Sequence, residues 1–285
     1  MRLGFVEFPG LIRESEDEMP SGLYIAASGM DAAMTRQGVI ANNLANLNTV
    51  GFKKDRAVDI AFPTQLYSRI SDQKMKVMNG TMELRPTVGF MGGGVVPQEV
   101  AVDHGQGPRL ETSNPLDMSL TGSSFFTVSG PNGRVFLTRA GNFSLDGEGR
   151  LVTQDGYPVL GRGGEIFIDG NQVNVDTEGN ISVDGMAQDQ LRIVKVSDEA
   201  GLQKVGQSLF SVPAGVQVDW APEDIQVQQG SLEQSNVNSV REMVEMIEVA
   251  RSYDLNAKVI STFDDVMTQA STRVGSMNSN GGFSI

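Results

Sequence analysis

Two stretches with helical periodicity, one near each end of the chain, constrain the fold more than any other feature. Across residues 21–47, and again from 236 to about 274, apolar and small residues recur at alternating steps of three and four positions. This spacing places them on one face of an α-helix. The first stripe contains Leu23, Ala26, Met30, Ala33, Ile40, Leu44 and Leu47; the second contains Val240, Met243, Met246, Ala250, Tyr253, Ala257, Ile260 and Met267. Isolated helices are marginal in water, so both stripes need packing partners.

The boundaries of both helices can also be predicted. Ser21 is a candidate N-cap for the first helix, and Asn48 and Gly51 supply residues that tolerate the left-handed turn with which helices end. The second helix would be roughly 55 Å long, which is more than a compact domain of this size needs. We therefore expect part of it to project.

The middle of the chain is typical of an all-β region. The pairs Asn132-Gly133, Asp146-Gly147 and Asp155-Gly156 separate β-rich segments, which is the strongest local signal for hairpins. Further short strands are expected at 165–168, 172–175, 181–183, 191–196 and 208–212.

The predicted fold class is therefore α+β. N- and C-terminal helices pair as a coiled-coil-like stem around an inserted all-β body of the meander or sandwich-like type. The predicted segments are an extension at 1–18, the stem at 19–52 and 231–275, an extended connector at 53–107, the β body at 108–230 and a tail at 276–285.

Charge and hydropathy exclude some functions. With 35 acidic and 22 basic residues, the formal net charge of −13 argues against binding to nucleic acid. No apolar run approaches the ~18 residues of a membrane span, so no membrane insertion is expected. The first twenty residues are interrupted by Glu7 and Pro9 and lack the pattern of a cleaved signal peptide.

Catalytic and metal-binding patterns are weak. Cysteine is absent, and the single histidine, His104, lies in a glycine-rich stretch where an ordinary surface or turn role is expected. The run GFMGGG lacks the Lys-Ser/Thr of a phosphate loop, and the acidic stretches DGEGR and DGNQVNVDTEGN do not complete a calcium loop, which favours β-turns. We expect no catalytic residue, no cofactor and no metal. An exported β-rich hydrolase would need a cluster of acid, base or nucleophile, and a trimeric coiled-coil adhesin would need longer heptads and a signal peptide.

Two distant segments resemble one known family. Residues 38–52, GVIANNLANLNTVGF, are similar to the N-terminal signature of bacterial flagellar axial proteins of the rod and hook class, and residues 229–253, QGSLEQSNVNSVREMVEMIEVARSY, are similar to its C-terminal signature. Between them, NPLDMSLTGSSFFTV and LTRAGNFSLDGEGRLVTQDGYPVLG resemble the β domain shared by rod and hook proteins. The chain is identified as a member of this flagellar basal-body rod and hook family.

Within the family, the tail MVEMIEVARSYDLNAKVISTFDDV resembles the proximal-rod type more than the distal-rod type, which commonly reads Gln-Arg-Ala-Tyr-Glu where this chain has residues 250–254. The distal-rod type is the alternative. A hook protein would usually be longer.

The resemblance implies a structural subunit that leaves the cytoplasm through the flagellar type III export apparatus without signal cleavage. It implies helical assembly with other rod subunits into the periplasmic rod, which transmits motor torque. The residues expected at subunit interfaces are Leu23, Met30, Ile40, Asn42, Asn43, Leu44, Asn46, Gly51, Phe52, Val240, Met243, Val244, Ile247 and Tyr253.

The extension at residues 1–18 precedes the part that resembles the family. Its acidic block, Glu14 to Glu18, and the interruption at Pro9 predict disorder, or a natural start at Met19. Its removal is then expected to leave export and assembly intact. A competing hypothesis makes Phe5, Phe8, Leu11 and Ile12 a short docking or export motif.

Overall fold

The computed structural model describes residues 21–62, 65–68, 74–77, 80–83, 87–213, 215–220 and 226–279. The predictions for residues 1–18 and for the last six residues of the tail lie outside these ranges. The described chain runs from a helix, through many short strands, to a second and longer helix. This order confirms the predicted α+β class with a helix at each end and a β body between them.

The two helices are close to their predicted bounds. Helix α1 spans Ser21–Ala45 and begins at the predicted N-cap. Helix α2 spans Ser239–Ser279, so it continues past the predicted end near residue 274. Its 41 residues correspond to a length of about 60 Å. No helix among the described residues combines the length and the hydrophobicity needed to cross a membrane.

The segment predicted as an extended connector contains six strands. They are β1 (Lys54–Ala61), β2 (Gln65–Ser68), β3 (Lys74–Val77), β4 (Gly80–Glu83), β5 (Thr87–Met91) and β6 (Val95–Asp103). Strand β2 pairs with β5 and β3 pairs with β4, both antiparallel, so one hairpin is nested inside another. The short strands β2 to β5 need few residues of high β-propensity, because antiparallel pairing with a neighbouring strand provides their backbone hydrogen bonds. Because Pro and Gly are frequent in this segment, its sequence did not predict these strands.

The β body contains the remaining strands. They are β7 (Arg109–Glu111), β8 (Met118–Leu120), β9 (Ser124–Ser129), β10 (Val135–Thr138), β11 (Ser144–Leu145), β12 (Leu151–Val152), β13 (Val173–Val175), β14 (Asn180–Val183), β15 (Met186–Gln190), β16 (Ile193–Val196), β17 (Gln203–Val205), β18 (Leu209–Ser211), β19 (Val218–Asp219), β20 (Val227–Gln229) and β21 (Ser231–Glu233). Six of them form one sheet in the order β17-β18-β10-β9-β16-β19.

Both faces of this central sheet are covered. The adjacent residues Phe125 and Phe126 of β9 point to opposite faces and belong to two separate buried clusters. The cluster around Phe126 includes Met118, Leu151 and Ile181, and the cluster around Phe125 includes Leu137 and Phe210. Burial on both sides of the sheet therefore accounts for the two adjacent phenylalanines of β9.

Two turns of the body use the same side-chain chemistry. Asp146 accepts hydrogen bonds from the backbone N–H groups of Glu148 and Arg150, both at 2.9 Å. Asp176 accepts equivalent bonds from residues 178 and 180, also at 2.9 Å. These Asp side chains close the hairpin turns, as the β-turn interpretation of both stretches predicted. Hydrogen bonding from Arg150 lowers the pKa of the Asp146 carboxyl.

The chain divides into two compact units. Of the described residues, those within 21–33, 59–96 and 251–279 form one unit, and those within 34–58 and 97–250 form the other. In the first unit, α1 and α2 approach at two glycines, where a Cβ on Gly22 would lie 2.8 Å from Cζ of Phe263 and a Cβ on Gly29 would lie 2.8 Å from Nδ2 of Asn256. A continuous coiled-coil seam stays a prediction.

Candidate functional site

Asn43, near the end of α1, holds three segments of the second unit together. It is 1% exposed. Its Nδ2 donates to the Asp55 carbonyl at 2.8 Å, and its Oδ1 accepts the Asp55 N–H at 2.8 Å. The same Nδ2 also donates to Oε2 of Glu242 in α2 at 3.1 Å. One amide therefore joins the last turn of α1, the start of β1 and the first turn of α2.

The asparagine-rich turn after α1 satisfies its own backbone. Asn46 donates from Nδ2 to the Asn42 carbonyl at 2.9 Å, and its Oδ1 accepts a bond from the Thr49 hydroxyl at 3.1 Å. Side-chain amides at a helix end replace the hydrogen bonds that the terminating helix can no longer supply. The exposed Asn42 contributes its carbonyl.

Gly51 lies where the turn meets the β body. Its N–H donates to the Glu233 carbonyl at 2.8 Å, and its φ of +68° is in the left-handed region. A Cβ at this position would lie 2.4 Å from the backbone nitrogen of Ala140. Real Cβ atoms do not approach this closely, so both the backbone angle and the contact require glycine.

A buried ionic cluster follows directly along the chain. The Glu233 carboxylate accepts hydrogen bonds from Nζ of Lys53 at 2.6 Å, from Nη1 of Arg139 at 3.2 Å and from the Gly107 N–H at 3.0 Å. All three charged side chains are at most 2% exposed. Burial lowers the pKa of Lys53 and of Arg139, and the nearby carboxylate of Glu233 opposes that shift. Lys53 also donates to the Gly105 carbonyl at 2.9 Å.

A second ion pair lies at the start of α2. Glu242 is fully buried, and its Oε1 lies 2.5 Å from Nζ of Lys54. Its place in the first helical turn also puts the carboxylate at the positive end of the helix dipole. The Lys54 N–H donates to Oδ1 of Asn236 at 2.7 Å, and Asn236 in turn donates to the carbonyls of Asp103 and Gly105.

Phe52 packs against a fourth cation of this region, Lys204. The ring is 1% exposed, and Nζ of Lys204 lies 3.8 Å from its centroid. Lys204 also contacts Oδ1 of Asp55 at 2.9 Å and donates to the Lys53 carbonyl at 3.0 Å. Burial lowers the pKa of Lys204, and the hydrogen bond to Asp55 opposes this.

We call this region the junction. It consists of residues 43–55, 103–107 and 233–242, together with Arg139 and Lys204. A cavity of about 350 Å³ lies beside it, and its lining includes Arg36 and Arg56 together with Glu245 and Glu248 of α2. The junction offers buried ion pairs and hydrogen bonds. Among the described residues, no group of three side chains is placed to hold a metal ion.

The predicted interface residues fall into three classes in the structure. The buried ones, which pack inside this chain, are Ile40, Asn43, Asn46, Gly51 and Phe52. The half-buried ones are Leu23, Met30, Leu44 and Tyr253, and the exposed ones are Asn42, Val240, Met243, Val244 and Ile247. A role for any of them between subunits stays a prediction.

Sequence reasoning missed the charged half of the junction. None of the residues concerned was predicted as a site residue. They are the charged Lys53, Arg139, Lys204, Glu233 and Glu242, together with the amide side chain of Asn236. Charged side chains are expected on the surface, because isolated burial is costly. The available signal was position: Lys53 directly follows the first signature segment, and Glu233 lies within the second.

Three family models match the chain in order along its length. Residues 23–53 match the flagella basal body rod protein model, residues 119–183 match the flagellar hook protein FlgE/F/G D1 domain, and residues 228–273 match the C-terminal model of flagellar basal body rod FlgEFG proteins. The first and third models cover the two sides of the junction.

Whole-chain relatives agree with these matches. The chain is 36% identical over 257 residues to the flagellar basal-body rod protein FlgG of Agrobacterium fabrum, covering 86% of this chain and 95% of the relative. It is 33% identical over 267 residues to FlgG of Bacillus subtilis, covering 88% and 98%. It is 32% identical over 266 residues to FlgF of Caulobacter vibrioides, covering 91% and 100%. The chain belongs to the flagellar basal-body rod protein family, and it is a structural subunit of the rod rather than an enzyme.

Proposed function

We propose that the chain assembles into the rod through the outward side of α2, while the junction holds that helix rigidly to the β body. The observation that carries this proposal is a row of apolar side chains left in water at the start of α2. Val240 is 67% exposed, Val244 51% and Ile247 54%. They recur at steps of four and three, so they share one side of the helix.

This exposure is unfavourable for a lone subunit. Burying a side chain of this size against a neighbour stabilises the assembly by roughly 1.5–3 kcal/mol. Glu242 lies between these residues in sequence, yet it is fully buried and paired with Lys54. Helix α2 therefore has an inner side fixed within the unit and an outer side available to neighbouring subunits. Further copies of this chain and other rod proteins are the proposed partners.

The junction suits a part that carries torque. Asn43, Glu233 and Asn236 each bond to two or more segments that are distant in sequence. Such connected and buried polar networks resist deformation, because movement of one member leaves others unpaired in a medium of low dielectric constant. A force on the start of α2 would therefore pass to the body through several bonds together.

We also infer that α1 and α2 pair along a coiled-coil-like seam. In the first unit, the contacts of Gly22 with Phe263 and of Gly29 with Asn256 support this pairing. In the second unit, the bond between Asn43 and Glu242 supports it.

Export through the flagellar type III apparatus without a cleaved signal remains part of the proposal, and it is consistent with the interruption of the first twenty residues by Glu7 and Pro9.

The position along the rod has two candidates, each with its own support. The tail at residues 250–254, Ala-Arg-Ser-Tyr-Asp, favours the proximal-rod type, as the sequence resemblance implied. The relatives described above favour the FlgG type, since FlgG of Agrobacterium fabrum shares 36% identity and FlgG of Bacillus subtilis 33%, against 32% for FlgF of Caulobacter vibrioides. Electron microscopy of basal bodies that carry an epitope on the exposed Met186 turn would distinguish a band near the inner membrane from one further out.

The assembly proposal is tested with Ile247→Asp in cells whose own gene for this protein is deleted. We expect loss of rods and of swimming, with a monomer that unfolds at the same denaturant concentration as the wild type. Ile247→Leu is the matched control and should restore both. Normal swimming of Ile247→Asp, or an equal loss in Ile247→Leu, would contradict the proposal.

A further inference from the structure

His104 is the one histidine of the chain, and the structure places it inside the junction. Its ring centroid lies 5.2 Å from that of Phe210 and 6.2 Å from that of Phe125, so the imidazole packs against two buried aromatic rings. The expectation of an ordinary surface or turn histidine does not describe this position. The glycine-rich sequence around His104 is compatible with this buried position, but it does not predict it.

The imidazole is left without polar partners. Neither Nδ1 nor Nε2 has a hydrogen-bond partner among the residues that the structure describes, and both atoms are inaccessible to solvent. A buried donor without an acceptor is costly even when the ring is neutral. A second proton would add a charge that this pocket cannot hydrate.

The charged groups around the ring come from several elements. Lys53 after the asparagine-rich turn and Arg139 after β10 are cations and oppose protonation, whereas Glu199 in the turn after β16 and Asp103 at the end of β6 favour it. Arg139 also lies over the Phe125 ring that His104 contacts, with its Cζ at 4.8 Å from the centroid. Burial has the largest effect, and the pKa of His104 is lowered from its ordinary value of 6.5.

The residues on either side of His104 hold the junction closed. The Asp103 carbonyl accepts a bond from Asn236 at 2.8 Å, and the Gly105 carbonyl accepts bonds from Lys53 at 2.9 Å and Asn236 at 3.0 Å. The Gly107 N–H donates to Glu233 at 3.0 Å. Displacement of the imidazole toward water would pull on this backbone and strain all four bonds.

We propose that His104 is an acid-sensitive switch of the junction. When the imidazole is neutral it stays between Phe125 and Phe210, and residues 103–107 keep their bonds to Lys53, Glu233 and Asn236. When it takes a proton it leaves the aromatic pocket for water, and the junction loosens where the body meets the start of α2. Acid thereby weakens the attachment of the terminal helices.

The direction of the effect follows from proton binding. Because the folded chain holds the His104 proton less tightly than the unfolded chain, acid favours the unfolded chain. The stabilising effect of the neutral ring is complete above pH 6.5 and decreases as the pH falls below that value. The folding equilibrium constant then falls by up to about tenfold per pH unit until the pKa of the folded state is reached.

The first test measures the imidazole directly. Since the chain has one histidine, its carbon-bound ring protons give one set of NMR signals in the purified full-length monomer. We expect their midpoint to lie below 6.5, with loss of the nuclear Overhauser contacts to Phe210 on protonation. A midpoint at 6.5 or above would overturn the proposal, and this measurement requires no variant.

The second test compares the wild type with His104→Phe and His104→Gln between pH 7 and pH 5. All other titrating groups are shared, so the difference in the pH dependence of stability reports on residue 104 alone. We expect both variants to lose less stability in acid, and the Gly107 amide of the wild type to exchange with solvent faster than that of His104→Phe at pH 5. Equal pH dependence in wild type and variants would overturn the switch. Because both tests use the monomer, failed rod assembly would not affect them.

Discussion

The side chains of Asn43 and Glu242 meet at 3.1 Å although 199 residues separate them in the chain. The bond joins the end of α1 to the start of α2, and both residues are almost completely buried. The two segments that match the terminal family models therefore meet inside a single chain.

Asn43→Ala should destabilise the monomer by about 1–3 kcal/mol, because it leaves the buried Asp55 N–H and one oxygen of Glu242 without their partner. Denaturant unfolding followed by circular dichroism measures this change. The matched control is Asn42→Ala, since Asn42 is the same residue type, adjacent and exposed. Equal losses in the two variants would contradict the role assigned to Asn43.

The locally determined parts of the fold were predictable. Helical periodicity identified α1 and α2, and the pairs Asp146-Gly147 and Asp155-Gly156 marked turns that the structure confirms. These features depend on residues that are close to one another in the sequence. The strands β7 and β8 were not predicted, since they are three residues long and pair with β21 and β20 from the far end of the body.

The candidate site was only half predictable for a related reason. Asn43 lies in the last turn of α1, and Asn46 and Gly51 follow its end, so their local setting suggests capping. Lys53 and Glu233 are ion-paired over 180 residues of sequence, and no local pattern reveals that a charged side chain is buried. On α2, steps of three and four grouped the exposed Val240 and Met243 with the half-buried Met246 and Tyr253, because apolar type alone does not distinguish the two sides.

Glu233→Gln should be strongly destabilising, by about 3–5 kcal/mol, because Lys53 and Arg139 would remain buried without a compensating charge. The change keeps the shape of the side chain, so lost packing does not account for the effect. Thermal and denaturant unfolding of the monomer are the measurements. Glu148→Gln, at a side chain that is 70% exposed, serves as control and should leave unfolding unchanged. A loss below about 1 kcal/mol for Glu233→Gln would mean that the cluster is not essential to the fold.

Gly51→Ala tests the closest backbone contact of the junction. The added Cβ would lie 2.4 Å from the Ala140 nitrogen at a residue with φ of +68°, so both a clash and backbone strain are expected. We expect a loss of at least about 2 kcal/mol in the monomer, and a larger loss together with failed assembly for Gly51→Val. Gly38→Ala is the matched control, since Gly38 lies within α1 and a Cβ there would meet nothing within 4 Å. That control should gain about 0.5–1 kcal/mol from better helix propensity. If Gly51→Ala unfolds at the wild-type denaturant concentration, Gly51 is an ordinary helix-end glycine and the contact with Ala140 does not constrain the junction.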